Sequence, residues 1–523
     1  VNRLVGTFVL EAKLAWRYGI LAVAAVLALL WTGLLLALPT AGAQALLPYL
    51  LFLDTAGFGA LFAVALLMFE RVEGTDASRS VTPVGPRTAA PVRVVVLTLP
   101  VVAMAIPLIV VTVPPQSVSG ALGHATAGVV LTSVLLVAAC SGLAARTRTL
   151  QGALLATVPA VAPLIAVPVL HLAGVVQSPL LWAVPTTAGA DLIGRGLTGG
   201  AGAPQGPGGG IALLYAVGCA AAVCWWAARQ AVPSGARPRR TGPASTEDGS
   251  SGVPQGPPRD AAHHSARARP RHPVHPRGRG HPVLSLARYE LSGVRRDPLL
   301  LTVALAPLPL ALVLRWTYPA LSGYLRSTYG FDPAEHASVV FGALVLLHIP
   351  LMVGAVTALR VTEDIDDRTL QVLRVSPLSL NAYFGFRTGT ALLLALIGLA
   401  IAAPLSGLAP ALSSGLAAAV VLAALFAPLV VLATAAFAGN KVEALVVTKT
   451  VAAVSVLAPV LTWVLPAPWW SPLLVLPPTW ALLPLPGYPA DSLASPVVLL
   501  GGSVTAVAAA LVLALRIRSR LLT

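Results

Sequence analysis

The sequence predicts an all-α polytopic membrane protein of about 12 transmembrane helices, laid out as two parallel tandem six-helix repeats, each preceded by an amphipathic elbow helix. Three observations lead there. Hydrophobic residues make up 57% of the 523-residue chain and charged residues 10%, whereas soluble domains average about 25% charged. Apolar runs recur at about 20 residues, the length a helix needs to cross the hydrocarbon of a bilayer. Short polar motifs in the first half return in the same order in the second.

Composition excludes several classes. A large soluble domain needs polar helix faces, and most long segments here have none. The formal charge of +15 is spread between apolar runs rather than gathered on a basic domain with aromatic platforms, which argues against nucleic acid. Cys140, Cys219 and Cys224 lie inside apolar runs, so they form neither a secreted disulfide framework nor a zinc site and read as packing residues. No metal site is expected. Near the start, Glu11, Lys13 and Arg17 interrupt the apolar run that a cleaved signal peptide would show. Arg outnumbers Lys about tenfold, which points to GC-rich bacterial coding.

Candidate spans in the first half are 18–39, 47–69, 92–113, 123–145, 150–175 and 211–229; those in the second are 298–317, 338–359, 385–407, 411–438, 445–466 and 499–516. Orientation follows from Lys and Arg in the short loops. Arg3, Lys13, Arg17, Arg71, Arg79, Arg87, Arg93, Arg146 and Arg148 share one side of the first half, against Arg195 opposite. Arg288, Arg295, Arg296, Arg360, Arg368, Arg374, Arg387, Lys441, Lys449, Arg516, Arg518 and Arg520 repeat the bias, against Arg315 and Arg326. Both termini are therefore expected in the cytoplasm of a multi-pass cell-membrane protein.

Before each first span, apolar and charged residues alternate as in a helix lying in the headgroup plane. Phe8, Leu10, Leu14 and Trp16 stand among Glu11, Lys13 and Arg17; Leu284, Leu286, Tyr289 and Leu291 stand among Arg288, Glu290, Arg295 and Arg296. An ordinary extension of the first span is the alternative. Residues 231–282 turn to Pro, Gly, Ser, Arg and His, too poor in apolar residues to repay ordering, and read as a disordered cytoplasmic linker. The expected domains are thus a first six-helix transmembrane module at 1–230, the linker at 231–282 and a second at 283–523.

The repeat rests on three anchors. Glu70, Glu73, Thr75, Thr82 and Pro83 fall on Asp364, Asp367, Thr369, Ser376 and Pro377 at one offset, with Gly74 on Arg368. SPLLWAVPT at 178–186 falls on SPLLVLPPT at 471–479, and Glu11 and Arg17 fall on Glu290 and Arg296. The shorter offset of the last pair is expected to be taken up by a longer external loop near 318–337. Parallel repeats of this kind are related by a pseudo-two-fold along the membrane normal and can enclose a pathway between them.

The order of elbow, two spans, an acidic segment E-x-x-E-x-G-T followed by T/S-P, and four more spans resembles the membrane (permease) subunits of ABC exporters of the drug, antibiotic and polysaccharide export group. The match covers all of the chain but the linker. It implies that Glu70, Glu73, Gly74, Thr75, Thr82 and Pro83 form one ATPase-coupling segment and Asp364, Asp367, Arg368, Thr369, Ser376 and Pro377 the other, with Arg368 departing from the glycine. A solvated loop with incidental charge is the plainer alternative. Arg146 and Arg148, with Lys441 and Glu443, in the next cytoplasmic loops, are secondary contacts. In the resembling family, short re-entrant helices before the sixth span cap the pathway outside.

No G-x-x-x-x-G-K-S/T sequence occurs, so this chain is expected to bind no cofactor and to catalyse nothing itself. ATP and Mg2+ would be handled by two copies of a separate P-loop ATPase subunit. Apart from His171, His348 and boundary residues such as Asp54, the spans carry almost no ionisable groups, and the expected cargo is a small hydrophobic or amphipathic molecule moved through the bilayer by alternating access. A secondary transporter, for which Asp54 is the foothold, a membrane-embedded lipid-processing enzyme and a non-transporting scaffold or sensor are the alternatives.

Overall fold

The computed structural model describes residues 3–72, 86–147, 150–176, 178–198, 209–230, 305–366, 379–466, 468–489 and 495–522. The linker, the second elbow and most of both coupling segments lie outside these residues. Among the described residues all regular structure is helical, as hydrocarbon demands of a chain that must pair its backbone groups within each segment.

The elbow α1 (Arg3–Arg17) turns sharply into α2 (Ile20–Ala37) at Gly19, whose φ of 71° is a left-handed conformation that glycine adopts without strain. One face of α1 leaves Val5, Phe8, Val9 and Trp16 exposed, and another buries Thr7, Glu11 and Ala15. The apolar face thus suits the acyl boundary, and a carboxylate points into the protein.

Helix α3 (Thr40–Tyr49), a π-helical turn (Leu50–Thr55) and α4 (Ala56–Val72) run on as one path, followed by α5 (Pro86–Thr112), α6 (Val118–Ala144) and α7 (Leu150–Leu172). A 3-10 turn (Pro179–Ala183), α8 (Thr186–Thr198) and α9 (Gly209–Gln230) complete the first half. The second half holds α10 (Pro307–Tyr329), a 3-10 turn (Pro333–His336), α11 (Ala337–Phe341), a π-helical turn (Gly342–Leu346), α12 (His348–Asp366) and α13 (Leu380–Ser406). It closes with α14 (Ser414–Ala424), α15 (Phe426–Phe437), α16 (Lys441–Val464), a 3-10 turn (Ser471–Val475), α17 (Pro477–Trp480) and α18 (Ser495–Leu522).

Ten of the described helical stretches are long and apolar enough to cross a membrane. At the other two expected places stand α7, where the shorter stretch Pro159–Leu172 is the apolar part, and α10, which carries Arg315 and Arg326. Two expectations are corrected. The loop anticipated at 318–337 is helical to Tyr329, stops at Gly330 with φ 66°, and re-forms as a 3-10 turn capped by the Asp332 side chain. Asp54 is no boundary residue: because α3 feeds directly into the π turn, it stands in the middle of the span Thr40–Met68.

The halves share further details of backbone structure. Each second span contains a π-helical turn, and each copy of the SPLL sequence forms a 3-10 turn at the same place. The sixth spans, α9 and α18, are peripheral, with Ile211, Leu214, Trp225, Leu500, Val512 and Leu515 exposed on the surface that lipid would cover. Between the halves, α2 and α4 pack on α16, while Leu359 of α12 joins Val161 and Leu164 of α7 in one apolar cluster. Farther from the elbow, Tyr324 packs at Gly174 and Phe331 at Gly42.

Helix α8, which precedes the sixth span of the first half, is pressed against α6. A Cβ on Gly128 would stand 2.4 Å from the Gly189 carbonyl, and one on Gly189 would stand 2.2 Å from Thr132 Oγ1. Glycine is required here for close approach, as at small-residue interfaces between membrane helices. Gly189→Leu should lower the thermal unfolding temperature of the purified protein by the equivalent of about 1–3 kcal/mol of overpacking. Gly123→Ala, where a Cβ meets nothing within 4 Å, should leave it unchanged.

Candidate coupling site at the elbow end of the bundle

Of the first coupling segment, Glu70 is described, on the last turn of α4; Glu73, Gly74, Thr75, Thr82 and Pro83 lie outside the described residues. Glu70 is closed into a buried triad. Arg93, on the second turn of α5, donates through Nε and Nη2 to the two oxygens of Glu11 at 3.1 Å each and through Nη2 to Glu70 Oε1 at 2.6 Å. The three side chains are 6%, 2% and 8% exposed. One planar guanidinium, whose fork matches carboxylate geometry, therefore joins elbow, second span and third span at the end of α4.

The second half builds the same joint from different parts. Asp364, on the last turn of α12, accepts from Arg387 Nη2 at 2.8 Å and from the Tyr383 hydroxyl, both on α13. Arg93 follows Glu70 by 23 residues and Arg387 follows Asp364 by 23. These arginines are repeat equivalents that sequence reading had counted as loop charge. The missed signal was their constant distance from the acidic positions. Tyr383 stands where the first half has Ala89, and Glu290, the counterpart of Glu11, lies outside the described residues. Asp367, Arg368, Thr369, Ser376 and Pro377 lie outside them too.

Neighbouring helix ends are tied at the same level. Arg71 donates to the carbonyls of Ala144 (3.1 Å), Ala145 (2.6 Å) and Thr147, satisfying the open end of α6. Arg520 does this for α15, reaching the Ala438 carbonyl at 2.6 Å. Of the secondary candidates, Arg146 is exposed in the turn after α6 and Arg148 lies outside the described residues. Lys441 begins α16. Glu443 accepts from the Gly439 N–H at 2.6 Å, while Asn440 Oδ1 accepts from the Glu443 N–H at 2.9 Å, a reciprocal cap that starts the helix. At the opposite end His171 lies edge-on to Trp182 and 3.7 Å from Asp191, which pairs with Arg195 at 2.7 Å.

Replacing Arg93 by Met would remove the guanidinium that two buried carboxylates share, so the purified R93M protein should lose about 3–5 kcal/mol of stability, read by thermal unfolding. R387M should lose less, because Asp364 is 24% exposed and keeps Tyr383. Equal losses would contradict the difference in burial.

Comparison with known proteins converges on one group. A profile described as the fluoroquinolones export permease protein family matches residues 2–232, and one described as fluoroquinolones export permease protein Rv2686c-like matches residues 290–514. The Mycobacterium tuberculosis fluoroquinolones export permease protein Rv2686c is 30% identical over 200 residues, covering 38% of this chain and 79% of its own length. Rv2687c of the same organism, a protein of the same description, is 29% identical over 227 residues, covering 43% and 92%. Each relative is thus about half as long as this chain. With duplicated acid–arginine joints on a multi-pass helical bundle and matches over both halves, the chain belongs to the fluoroquinolones export permease protein family.

Proposed function

We propose that this chain is the transmembrane pathway subunit of an ATP-driven exporter, supplying in one polypeptide both halves between which an amphipathic aromatic drug of the fluoroquinolone type passes. The observation that carries the reading is the repeated acid–arginine joint, Glu70–Arg93 with Glu11 and Asp364–Arg387 with Tyr383. Each joint clamps the base of a cytoplasmic acidic segment to the span that follows it. A force applied to such a segment is then passed to at least two helices rather than absorbed by a loose turn, as a lever for rigid-body switching requires.

On this reading two ABC ATPase subunits dock on the segments that begin at Glu70 and Asp364. Their ATP and Mg2+ chemistry stays in those subunits, and this chain is not itself an enzyme. Carboxylates such as Glu73 and Asp367 accept charge-assisted hydrogen bonds from the docked partner. The first segment has Gly74 and the second Arg368 beside Glu363, Asp364, Asp366 and Asp367, so the two sockets are inequivalent. Mid-span Asp54 gives an ion-driven transporter its one foothold, and the energy source separates the two readings.

When the chain is co-expressed with a P-loop ABC ATPase subunit that co-purifies with it, accumulation of a fluorescent fluoroquinolone in a pump-deficient bacterium should fall several-fold, and replacement of the ATPase P-loop lysine should abolish the effect. Lowered accumulation by the chain alone, reversed by a protonophore, would overturn ATP drive. In pull-downs of the ATPase, E73R and D367R should reduce recovery unequally; equal losses would overturn the inequivalent sockets.

A further inference from the structure

A second polar cluster lies far from the coupling joints, at the depth of the hydrocarbon. Asp54, in the π-helical turn of the span Thr40–Met68, pairs with Lys449 in the span Glu443–Val464 and accepts from Trp31 Nε1 at 2.6 Å. Trp31 and Asp54 belong to the first half and Lys449 to the second, 395 residues away, so the pair closes across the seam where α2 and α4 meet α16.

Three features separate this pair from an architectural brace. It has no counterpart at the repeat-equivalent positions: at the motif offset Asp54 falls on His348 and Lys449 on Leu155. It is not sealed, since the side chains of Asp54 and Lys449 are 16% and 22% exposed whereas the Arg93 triad is nearly closed. It stands in a π-helical turn, a feature of membrane and soluble helices that recurs at functional sites. Ionisable groups at this depth are costly and mark transport pathways, and an ion pair needed for stability alone can be replaced by apolar packing.

The chemistry of the cluster is that of a site for opposite charges. The Trp31 N–H keeps the Asp54 carboxylate oriented when the lysine leaves it, and the long lysine stem lets the ammonium swing to another anion. Thr32, Thr55 and Thr448, next in sequence to the three residues, carry buried hydroxyls with no hydrogen-bond partner among the described residues. We propose that the Asp54–Lys449 pair, oriented by Trp31, is the point in the pathway that recognises a zwitterionic cargo: Lys449 takes the carboxylate of a planar aromatic acid and Asp54 takes its basic amine. This rests on the export reading and names the charge pattern that the pathway selects.

The test is equilibrium binding to the purified full-length chain in lipid nanodiscs, with three probes: a fluoroquinolone bearing a basic piperazine, its methyl ester, and an acidic quinolone without the amine. The wild-type chain should bind the zwitterion about tenfold or more tighter than either single-charge probe, the scale of one charged hydrogen bond. K449M should reduce zwitterion affinity to that of the ester and leave the ester unchanged, with K449R restoring most of the preference. D54N should reduce it to that of the amine-free acid and leave the acid unchanged. Folded variants, matched to wild type by thermal unfolding, that still prefer the zwitterion or lose all three probes equally would overturn the assignment. Wild-type chain that binds none of the three would overturn the export reading with it, while binding of all three without charge preference would overturn this inference alone.

Discussion

A chain placed in hydrocarbon must pair its polar groups there, because no water is present to take them. The backbone meets that demand by helix formation in every described segment. Polar side chains meet it locally: Thr98, Thr157, Thr357, Thr362, Thr434 and Thr462 each return their hydroxyl to a carbonyl four residues back. Helix ends draw on arginine, with Arg71 and Arg520 turned onto the last carbonyls of the fourth spans. Beyond this local pairing, charged side chains such as Arg93, Arg387 and Lys449 find their partners on other helices, while the buried hydroxyls of Thr32, Thr55 and Thr448 have none among the described residues.

These charged contacts organise the functional surfaces. At the elbow end, Arg93 and Arg387 hold acidic residues of the second spans, and the first joint also captures the elbow through Glu11. A desolvated guanidinium between two carboxylates tolerates little displacement, because at this burial water does not replace a contact that is lost. The joint is therefore stiff at the end of the second span. Across the seam the Asp54–Lys449 pair has the opposite character: it is partly open, without a counterpart at the repeat-equivalent positions and contributed by both halves.

The duplication explains why the halves agree in architecture and differ in detail. Both carry a π-helical turn in the second span, a 3-10 turn at SPLL and a peripheral sixth span. Yet Ala89 is answered by Tyr383, Asp54 by His348 and Gly74 by Arg368. A fused chain can let its copies diverge at such positions because each position exists once per molecule, whereas a symmetric dimer would change both together.

The sequence by itself determined the helical membrane class, most spans, the repeat and the acid-bearing ends of the second spans, because hydropathy over about 20 residues and motif spacing are local quantities written along the chain. Glu70 and Asp364 were legible in this way. Their arginine partners stood in the same text but read as topology signals, since Lys and Arg near helix ends carry that meaning whatever they touch. The boundary at 318–337 and the depth of Asp54 were misplaced because hydropathy does not register a π-helical turn that joins α3 to α4, nor a helix that continues through Thr317–Tyr329. Only the tertiary structure decided that Glu11 turns inward, that α8 lies against α6 at Gly128 and Gly189, and that Asp54 meets Lys449. Each is a contact between segments far apart in sequence, fixed by how helices pack across a seam, and pairing of that kind leaves no periodic signal in either partner.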